Sequence, residues 1–345
     1  ADGFRAAAGR ILDAITPLVD KRGSEGQVRR CHGDLHLNNI VLIEGRPTLF
    51  DALEFDEALA TVDVLYDLGF LLMDLDAAGH RADANLLLAQ YAWLDSTTDT
   101  LSGLAALPLF LALRAAVRAV VGLQRAAAAP PGSAPPAGPS PAAYMRRALE
   151  YLEPPPPRLV AIGGFSGTGK STLGAALAPT FGAAPGALHL RSDLERKSLF
   201  GVGETDRLPP EAYTPEAGEA VYSRLLARAG TALKAGHSVV VDAVFADADQ
   251  RTAVEDVARQ SGARFEALWL TVTPDTAASR IRMRRGDASD ATPEVAKAQM
   301  ERGAGTVTWQ HLATDAGADP TFQRAQALIP PDPSNGNGAP PPAGG

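Results

Sequence analysis

The chain has 345 residues, of which 46 % are hydrophobic and 21 % charged, and a net charge of -8 at pH 7. That length implies two domains, because single hydrophobic cores stop growing near ~250–300 residues. The acidic balance leaves no basic footprint for DNA, RNA or an anionic membrane, and a lone cysteine, Cys31, excludes an intrachain disulfide and fits a reducing cytoplasm.

In chain order, apolar periodicity predicts a helix over 4–20, then a short strand and loop over 31–39. A strand at 40–43, a turn at 44–47 and a strand at 48–51 read as a hairpin. Helices follow at about 61–76, 81–93 and 107–125. The opening residues lack a basic segment followed by an apolar run, so no signal peptide is expected. The most membrane-like stretch, 101–123, carries Arg114 and Arg118 four apart on one helical face. It is therefore expected as a core helix with one wet stripe rather than a membrane span. Residues 126–143 are almost entirely Ala, Pro, Gly and Ser and cannot bury enough apolar surface to order themselves. A short helix at 144–152 and the polyproline spacer 154–157 put a boundary near residue 155. Beyond it strands at 159–163, 187–190, 238–242 and 265–271 alternate with helices at 170–177, 194–200, 216–235, 247–260 and 274–284. That alternation implies a parallel sheet flanked by helices.

Gly164-Phe165-Ser166-Gly167-Thr168-Gly169-Lys170-Ser171 fits G-x-x-x-x-G-K-[ST] in full, between an apolar strand and a helix-forming stretch. Its glycines let the backbone curl so that N–H groups point at phosphate oxygens, and the helix N-terminus adds its positive dipole end. Lys170 reaches the β/γ-phosphates of ATP, and the Ser171 hydroxyl is placed for Mg²⁺, with Thr172 as its substitute. A chance Gly/Ser-rich turn matches the same pattern but needs neither flanking element.

A P-loop alone specifies nucleotide, not reaction. Asp193, in Arg191-Ser192-Asp193, closes the second strand, and ligands of an open parallel sheet bind outside the carboxyl ends of its strands. A carboxylate there can accept a proton from an attacking hydroxyl; equally, Ser192 or Asp193 could cap the helix that follows. Arg196 and Lys197 beside it could orient an anionic acceptor. Asp242 ends a buried strand and suits a water-mediated hold on Mg²⁺, or a capping role. Arg251 reads as a ligand contact or a solvated helix residue. Arg280, Arg282, Arg284 and Arg285 precede Gly286-Asp287-Ala288-Ser289-Asp290. Arg280 and Arg284 share a helical face, which suits either a closing lid that neutralises a transferring phosphoryl group or a solvated basic face.

These stretches, 163–172, 191–197, 239–245 and 280–291, resemble the small-molecule kinases built on the nucleoside-monophosphate-kinase fold, akin to gluconate, shikimate and zeta-toxin-like kinases. The resemblance implies phosphoryl transfer from ATP to a small-molecule hydroxyl.

Upstream, His32-Gly33-Asp34-Leu35-His36-Leu37-Asn38-Asn39 matches the catalytic loop H-x-D-x-x-x-x-N. Asp34 is the candidate base, Asn39 and Asp51 the candidate metal ligands, His32 a structural anchor and His36 a packing residue. Chelation by His32, Asp34 and His36 is the competing reading. Residues 22–125 resemble the C-lobe of the aminoglycoside phosphotransferase and choline-kinase family, and Asp67 resembles the buried aspartate that braces that lobe. The order of modules resembles a bifunctional aminoglycoside phosphotransferase/ATP-binding fusion family.

The expected organisation is thus a mainly α-helical, protein-kinase-like C-lobe at 1–125 and a Pro/Ala-rich linker with a short helix at 126–157. An α/β P-loop kinase domain at 158–328 and a disordered tail at 329–345 complete it. The resemblance also implies an N-lobe with a glycine-rich cover and a lysine. Only 31 residues precede His32 and carry no such strand set, so the sequence is expected to be part of a longer chain. The leading expectation is an ATP- and Mg²⁺-dependent kinase of the cytoplasm, with a small-molecule partner and neither nucleic acid nor membrane. A nucleotide-dependent regulatory module and a polynucleotide 5′-hydroxyl kinase are the alternatives, the last disfavoured by the absence of an aromatic-basic track. The acceptor's identity and the oligomeric state stay open at this stage.

Overall fold

The computed structural model describes residues 2–95, 99–130 and 138–332. Part of the expected linker (131–137) and most of the expected tail (333–345) lie outside these residues. The chain forms two compact units. The first is built from residues up to Leu88, from Ser102–Pro155 and from Ala183–Pro185; the second from Ala89–Leu101, Pro156–Gly182 and the chain from Gly186 onward.

The first unit opens with α1 (Asp2–Ser24), β1 (Val28–Arg30), β2 (Ile40–Ile43) and β3 (Arg46–Leu49). Next come α2 (Glu57–Ala60), β4 (Thr61–Asp63), α3 (Val64–Ala77) and α4 (Arg81–Leu94), whose last turns count with the second unit. It continues through the end of α5 (Asp99–Gly103), whose first three residues count with the second unit, α6 (Leu107–Ala128) and α7 (Pro141–Tyr151). Helix α3 is buried almost all round, as an apolar helix in a bundle interior must be. Its start is fixed by Asp63, whose Oδ1 accepts from Leu65 N at 2.8 Å while the carboxylate pairs with the buried Arg22 of α1 at 2.6 Å. Helix α6 is long and apolar enough to cross a membrane by length and composition. Its expected wet stripe is not wet at Arg114, which is 7 % exposed and lies 3.9 Å over the Tyr66 ring. The β2–β3 hairpin differs from expectation too. Its turn is Glu44-Gly45, both at positive φ (51° and 75°), so Pro47 sits within β3 opposite Leu42. A two-stranded ribbon has only edge strands, where a missing N–H is tolerated.

The second unit runs β5 (Arg158–Gly163), α8 (Lys170–Leu177), β6 (Leu188–Arg191), α9 (Ser192–Leu199), α10 (Pro215–Lys234) and β7 (Val239–Asp242). It ends with α11 (Ala248–Gln260), β8 (Arg264–Thr271), α12 (Pro274–Met283), α13 (Pro293–Arg302), β9 (Gln310–Ala313) and α14 (Ala318–Leu328). All five strands are parallel, in the order β6-β7-β5-β8-β9, and β5 and β7 are buried along their whole length. The alternation of strands and helices predicts this sheet. It misses β9, which is short and without β-branched residues, and α13 and α14, whose polar sequences give little apolar period. Val160, Ile162, Leu173, Phe181, Val240, Leu268, Leu312 and Ile329 form the core between sheet and helices.

Arg251 does not lie in solvent. It is 5 % exposed, and its guanidinium donates to Phe245 O and Ala246 O (both 2.8 Å) and to Ala304 O and Thr306 O (both 3.1 Å). It thereby ties the loop after β7 to the chain leaving α13. Arg251→Leu strands four carbonyls, that of Phe245 buried and the other three part-buried, and an unmet buried acceptor costs about 1–3 kcal/mol. The expected outcome is a loss of roughly 3 kcal/mol or more in urea unfolding of the second unit; an unchanged midpoint would contradict the clamp.

Candidate active site

The phosphate loop leaves β5 and enters α8 as the motif requires. Gly164 and Gly167 take φ of 141° and 84°, the left-handed side that favours glycine. A Cβ on Gly164 would stand 2.6 Å from Leu270 O, and one on Gly167 2.9 Å from Ala277. Phe165 packs edge-on against Trp269, ring centroids 5.6 Å apart. Thr168 turns inward, its Oγ1 donating to Phe165 O at 2.8 Å. Lys170 Nζ also donates to Phe165 O, at 3.2 Å. Burial pushes the Lys170 pKa down against the opposing pull of Asp242 and Asp193.

Asp242 ends β7 one strand away, 3 % exposed. Its Oδ2 accepts from Ser171 Oγ at 2.5 Å and stands 3.6 Å from His189 Nε2. Burial pushes its pKa up, yet the combined pull of His189, Lys170 and Arg191 wins and holds it at about 2. Two hard oxygen donors at one point fit magnesium, which takes few protein ligands and keeps phosphate oxygens and waters for the rest. Thr172 is exposed at the same cavity.

Asp193 does not cap α9. That helix begins at Ser192, its cap position is Arg191, and no side chain caps it. Asp193 lies in the first turn and lines the cavity that holds Lys170, Ser171, Arg280 and Arg284, about 740 Å³ in volume. Among the described residues it has no hydrogen-bond partner. Lys197 is fully buried and donates to Asp206 O and, at 3.0 Å, to Asp290 Oδ2, so it cannot orient an acceptor. Arg196 is partly committed, to Ala212 O and the Tyr213 ring.

The four arginines after β8 divide. Arg282 and Arg285 are exposed and absent from the cavity lining. Arg280 donates to Thr314 Oγ1 (3.0 Å) and Thr314 O (2.6 Å), and Thr314 Oγ1 in turn donates to Thr168 O (3.0 Å). It braces the loop from outside. Helix α12 ends at Met283, and Arg284 follows in extended backbone (φ -60°, ψ 138°), so the two do not share a helical face. Arg284 pairs with Asp287 at 3.4 Å, and its buried Nη1 has no hydrogen-bond partner among the described residues. The expected lid loop is tied down at two points. Asp287 accepts from Arg191 at 2.9 Å. Asp290 Oδ2 accepts from Lys197, from Leu208 N (3.0 Å) and from Tyr213 OH (2.8 Å). Sequence reasoning had Asp287 and Asp290 only as members of the polar loop, without these pairings, and missed Tyr213 and Gln299, whose Oε1 accepts from Ser166 N at 2.8 Å. Only proximity across long sequence separations marks them.

In the first unit Asn39 Nδ2 donates to Asp34 O (2.9 Å) and Oδ2 (3.2 Å). Asp67 accepts from His32 N (3.0 Å) and Gly33 N (2.9 Å), and His32 Nε2 bonds Phe50 O at 2.9 Å. His36 packs edge-on against Phe70 and stands 3.4 Å from Asp34 Oδ2. Asp51 lies past the end of β3 rather than within a strand, exposed and at φ 60°. Its neighbour Phe50 donates its N–H to Asn39 O at 3.1 Å; among the described residues no hydrogen bond joins Asp51 itself to Asn39. Among the described residues no group of three His, Cys, Asp or Glu could hold a metal ion, which removes the His32, Asp34, His36 chelate.

The parallel sheet, the glycine-turned loop at its central strand and the Ser171–Asp242 pair define a P-loop nucleotide-binding domain in the second unit. Residues 159–305 match the family model described as an AAA domain. Over 325 residues the chain is 31 % identical to an uncharacterized protein of Mycobacterium tuberculosis, covering 90 % of this chain and 63 % of that one. The chain thus spans less than two thirds of the curated relatives it matches. Among solved structures it is similar to a sugar kinase from a Janibacter species, at 17 % identity and a TM-score of 0.40, covering 52 % of this chain and 98 % of that one. It is also similar to an APS kinase from M. tuberculosis in complex with AMPPNP and APS, at 19 % identity and a TM-score of 0.37, covering 51 % and 99 %.

The two arginines are separable by calorimetry. A hydrogen bond to a charged group contributes about 1.5–3 kcal/mol, or roughly tenfold or more in affinity. Arg284→Ala is expected to weaken Mg-ATP by that factor and leave ADP within about twofold. Arg280→Ala, which loosens the loop itself, weakens both. Equal losses of ATP and ADP in the Arg284 variant would return Arg284 to a structural role.

Proposed function

We propose that the second unit is an ATP- and Mg²⁺-dependent kinase that phosphorylates a hydroxyl of a small molecule. The observation that carries the proposal is Asp193, a carboxylate without a hydrogen-bond partner among the described residues, on the same cavity as Lys170. A module that binds ATP only to signal needs no base at that position, so the regulatory alternative is the weaker reading.

In this reading the loop amides and Lys170 hold the phosphates, and the acceptor hydroxyl enters between Asp193 and the terminal phosphate. Its oxygen forms a bond to the γ-phosphorus as the bond to the β–γ bridging oxygen breaks, and ADP leaves with that electron pair. Asp193 Oδ takes the hydroxyl proton. Arg284 exchanges Asp287 for the transferring phosphoryl oxygens, whose charge it offsets through its spare Nη1. Ser171 and Asp242 would hold Mg²⁺, which would supply charge neutralisation on the phosphates.

We further propose that the first unit is a lobe of the aminoglycoside phosphotransferase kind in a fusion with this kinase. The grip of Asp67 on the amides of His32 and Gly33 and the Asn39–Asp34 bonds support it. A cytoplasmic setting is proposed from the lone Cys31.

A metabolite-pool screen for ATP-dependent gain of one phosphate identifies the acceptor. With it, Asp193→Asn is expected to lower turnover by roughly 10²-fold, the low end for a general base because a loose transition state needs little proton removal. Mg-ATP affinity is retained. Lys170→Ala abolishes most of that affinity, while Asp34→Ala leaves it unchanged. Unchanged turnover in the Asp193 variant would sink the proposed base, and no phosphate gain in any pool would favour the regulatory module.

A further inference from the structure

The Phe165–Ser166 peptide of the phosphate loop is held at both ends. Its carbonyl accepts from Lys170 Nζ (3.2 Å) and Thr168 Oγ1 (2.8 Å). Its N–H donates to Gln299 Oε1 at 2.8 Å. Loop N–H groups of this kind are ordinarily donors for phosphate oxygens, so one committed to a protein side chain has a different task. Ser166 is 8 % exposed, and a buried N–H without an acceptor is costly.

Gln299 stands on a fixed element. Thr292 caps the start of α13, its Oγ1 accepting from Val295 N at 3.4 Å. Just past the end of α13, Arg251 holds Ala304 O and Thr306 O, and the same guanidinium holds the cavity wall at Ala246 O. A side chain on such a support can position its target closely.

We infer that Gln299 is a positioning residue of the phosphate site: it fixes the plane of the Phe165–Ser166 peptide and, through that carbonyl, the seat of the Lys170 ammonium. Without Gln299 the buried N–H must rotate toward another acceptor, and the rotation carries the carbonyl off Lys170. The inference rests on the kinase reading only in that Lys170 serves the β/γ-phosphates of ATP. It also makes α13, which lines the cavity through Val295 and Arg302 as well, an element that joins the cavity wall to the phosphate loop.

The test is calorimetry of Mg-ATP binding to the full chain with Gln299→Leu, which keeps volume and removes the acceptor. Gln299→Met serves as a second, more flexible apolar replacement should the leucine variant not fold. The expected result is a Kd raised roughly tenfold at full stoichiometry, the size of a lost hydrogen bond that also displaces a charged group. The nucleotide-free unfolding temperature should stay within about 3 °C. An unchanged Kd overturns the inference, and so does a falling stoichiometry with an unchanged Kd, the mark of a residue that only holds the fold. Lys170→Ala run alongside separates the two readings. If that variant binds Mg-ATP normally, the kinase reading fails; if it does not and the Gln299 variant does, only the role of Gln299 is lost.

Discussion

A buried carboxylate organises the second unit. Removing the Asp242 anion from water is strongly unfavourable unless cations and hydrogen bonds replace the hydration, and the surrounding fold supplies them. Strand register alone brings two of its neighbours into line, since Asp242 pairs across the sheet with Ile162 of β5 and Arg191 of β6. Ile162 precedes the phosphate loop, so the next turn of chain delivers Ser171 to the same oxygen. His189, two residues before Arg191, faces it from β6. The outcome is a carboxylate held ionised to about pH 2 at the carboxyl edge of a parallel sheet, where ligands of such sheets bind.

Around that centre the cations have separate tasks. Arginine carries five donors and stays charged, so once buried it gathers carbonyls or carboxylates. Arg251 takes four carbonyls and closes the wall of the cavity; Arg280 takes Thr314 and braces the loop. Lys197 joins the Asp290 carboxylate to the chain at Asp206. Arg251 and Lys197 hold the fold although each stands beside a residue that lines the cavity, and Arg280 lines the cavity itself. Arg284 keeps a buried donor in reserve. The loop that begins at Phe245 shows the same tightness: Phe245 adopts φ 52°, a sparsely populated region for an aromatic residue. It is held there by Tyr222 OH on its N–H, by Arg251 on its carbonyl and by the Trp309 ring. Such over-determined strain clusters at functional sites.

The first unit solves a comparable problem with α3. Asp67 and Asp74 are seven residues apart and so share a face of the helix. Both spend their oxygens on amides of one loop, Asp67 on His32 and Gly33, Asp74 on Leu37. Asp74 also accepts from Tyr144 OH of α7 at 3.2 Å, and Asp76 from Tyr151 OH at 2.5 Å. The helix that follows the Pro/Ala-rich stretch is thereby fastened to α3 and acts as part of this unit, not as a spacer. Its sequence announces a helix, with Ser140 as cap and Pro141 at the first position, but not the buried tyrosines that fasten it.

The sequence by itself determined the phosphate loop and the alternation that builds the parallel sheet, because glycine spacing and apolar period are local properties of the chain. It also placed Asp242 at a strand end, since a strand's end is legible where its apolar run stops, and Asp193 near one, although the structure puts Asp193 in the first turn of α9. The tertiary structure decided which polar residues are free. Arg251, Arg280 and Arg284 look alike as letters, and Gln299 carries no signal in its neighbourhood. Their fates depend on which carbonyl, carboxylate or amide the fold brings within hydrogen-bond reach, from 3 residues away for the Arg284–Asp287 pair to 133 for Ser166 and Gln299. A hydrogen bond over that separation leaves no period in the sequence, because it is a property of the packed sheet and helices and not of any segment.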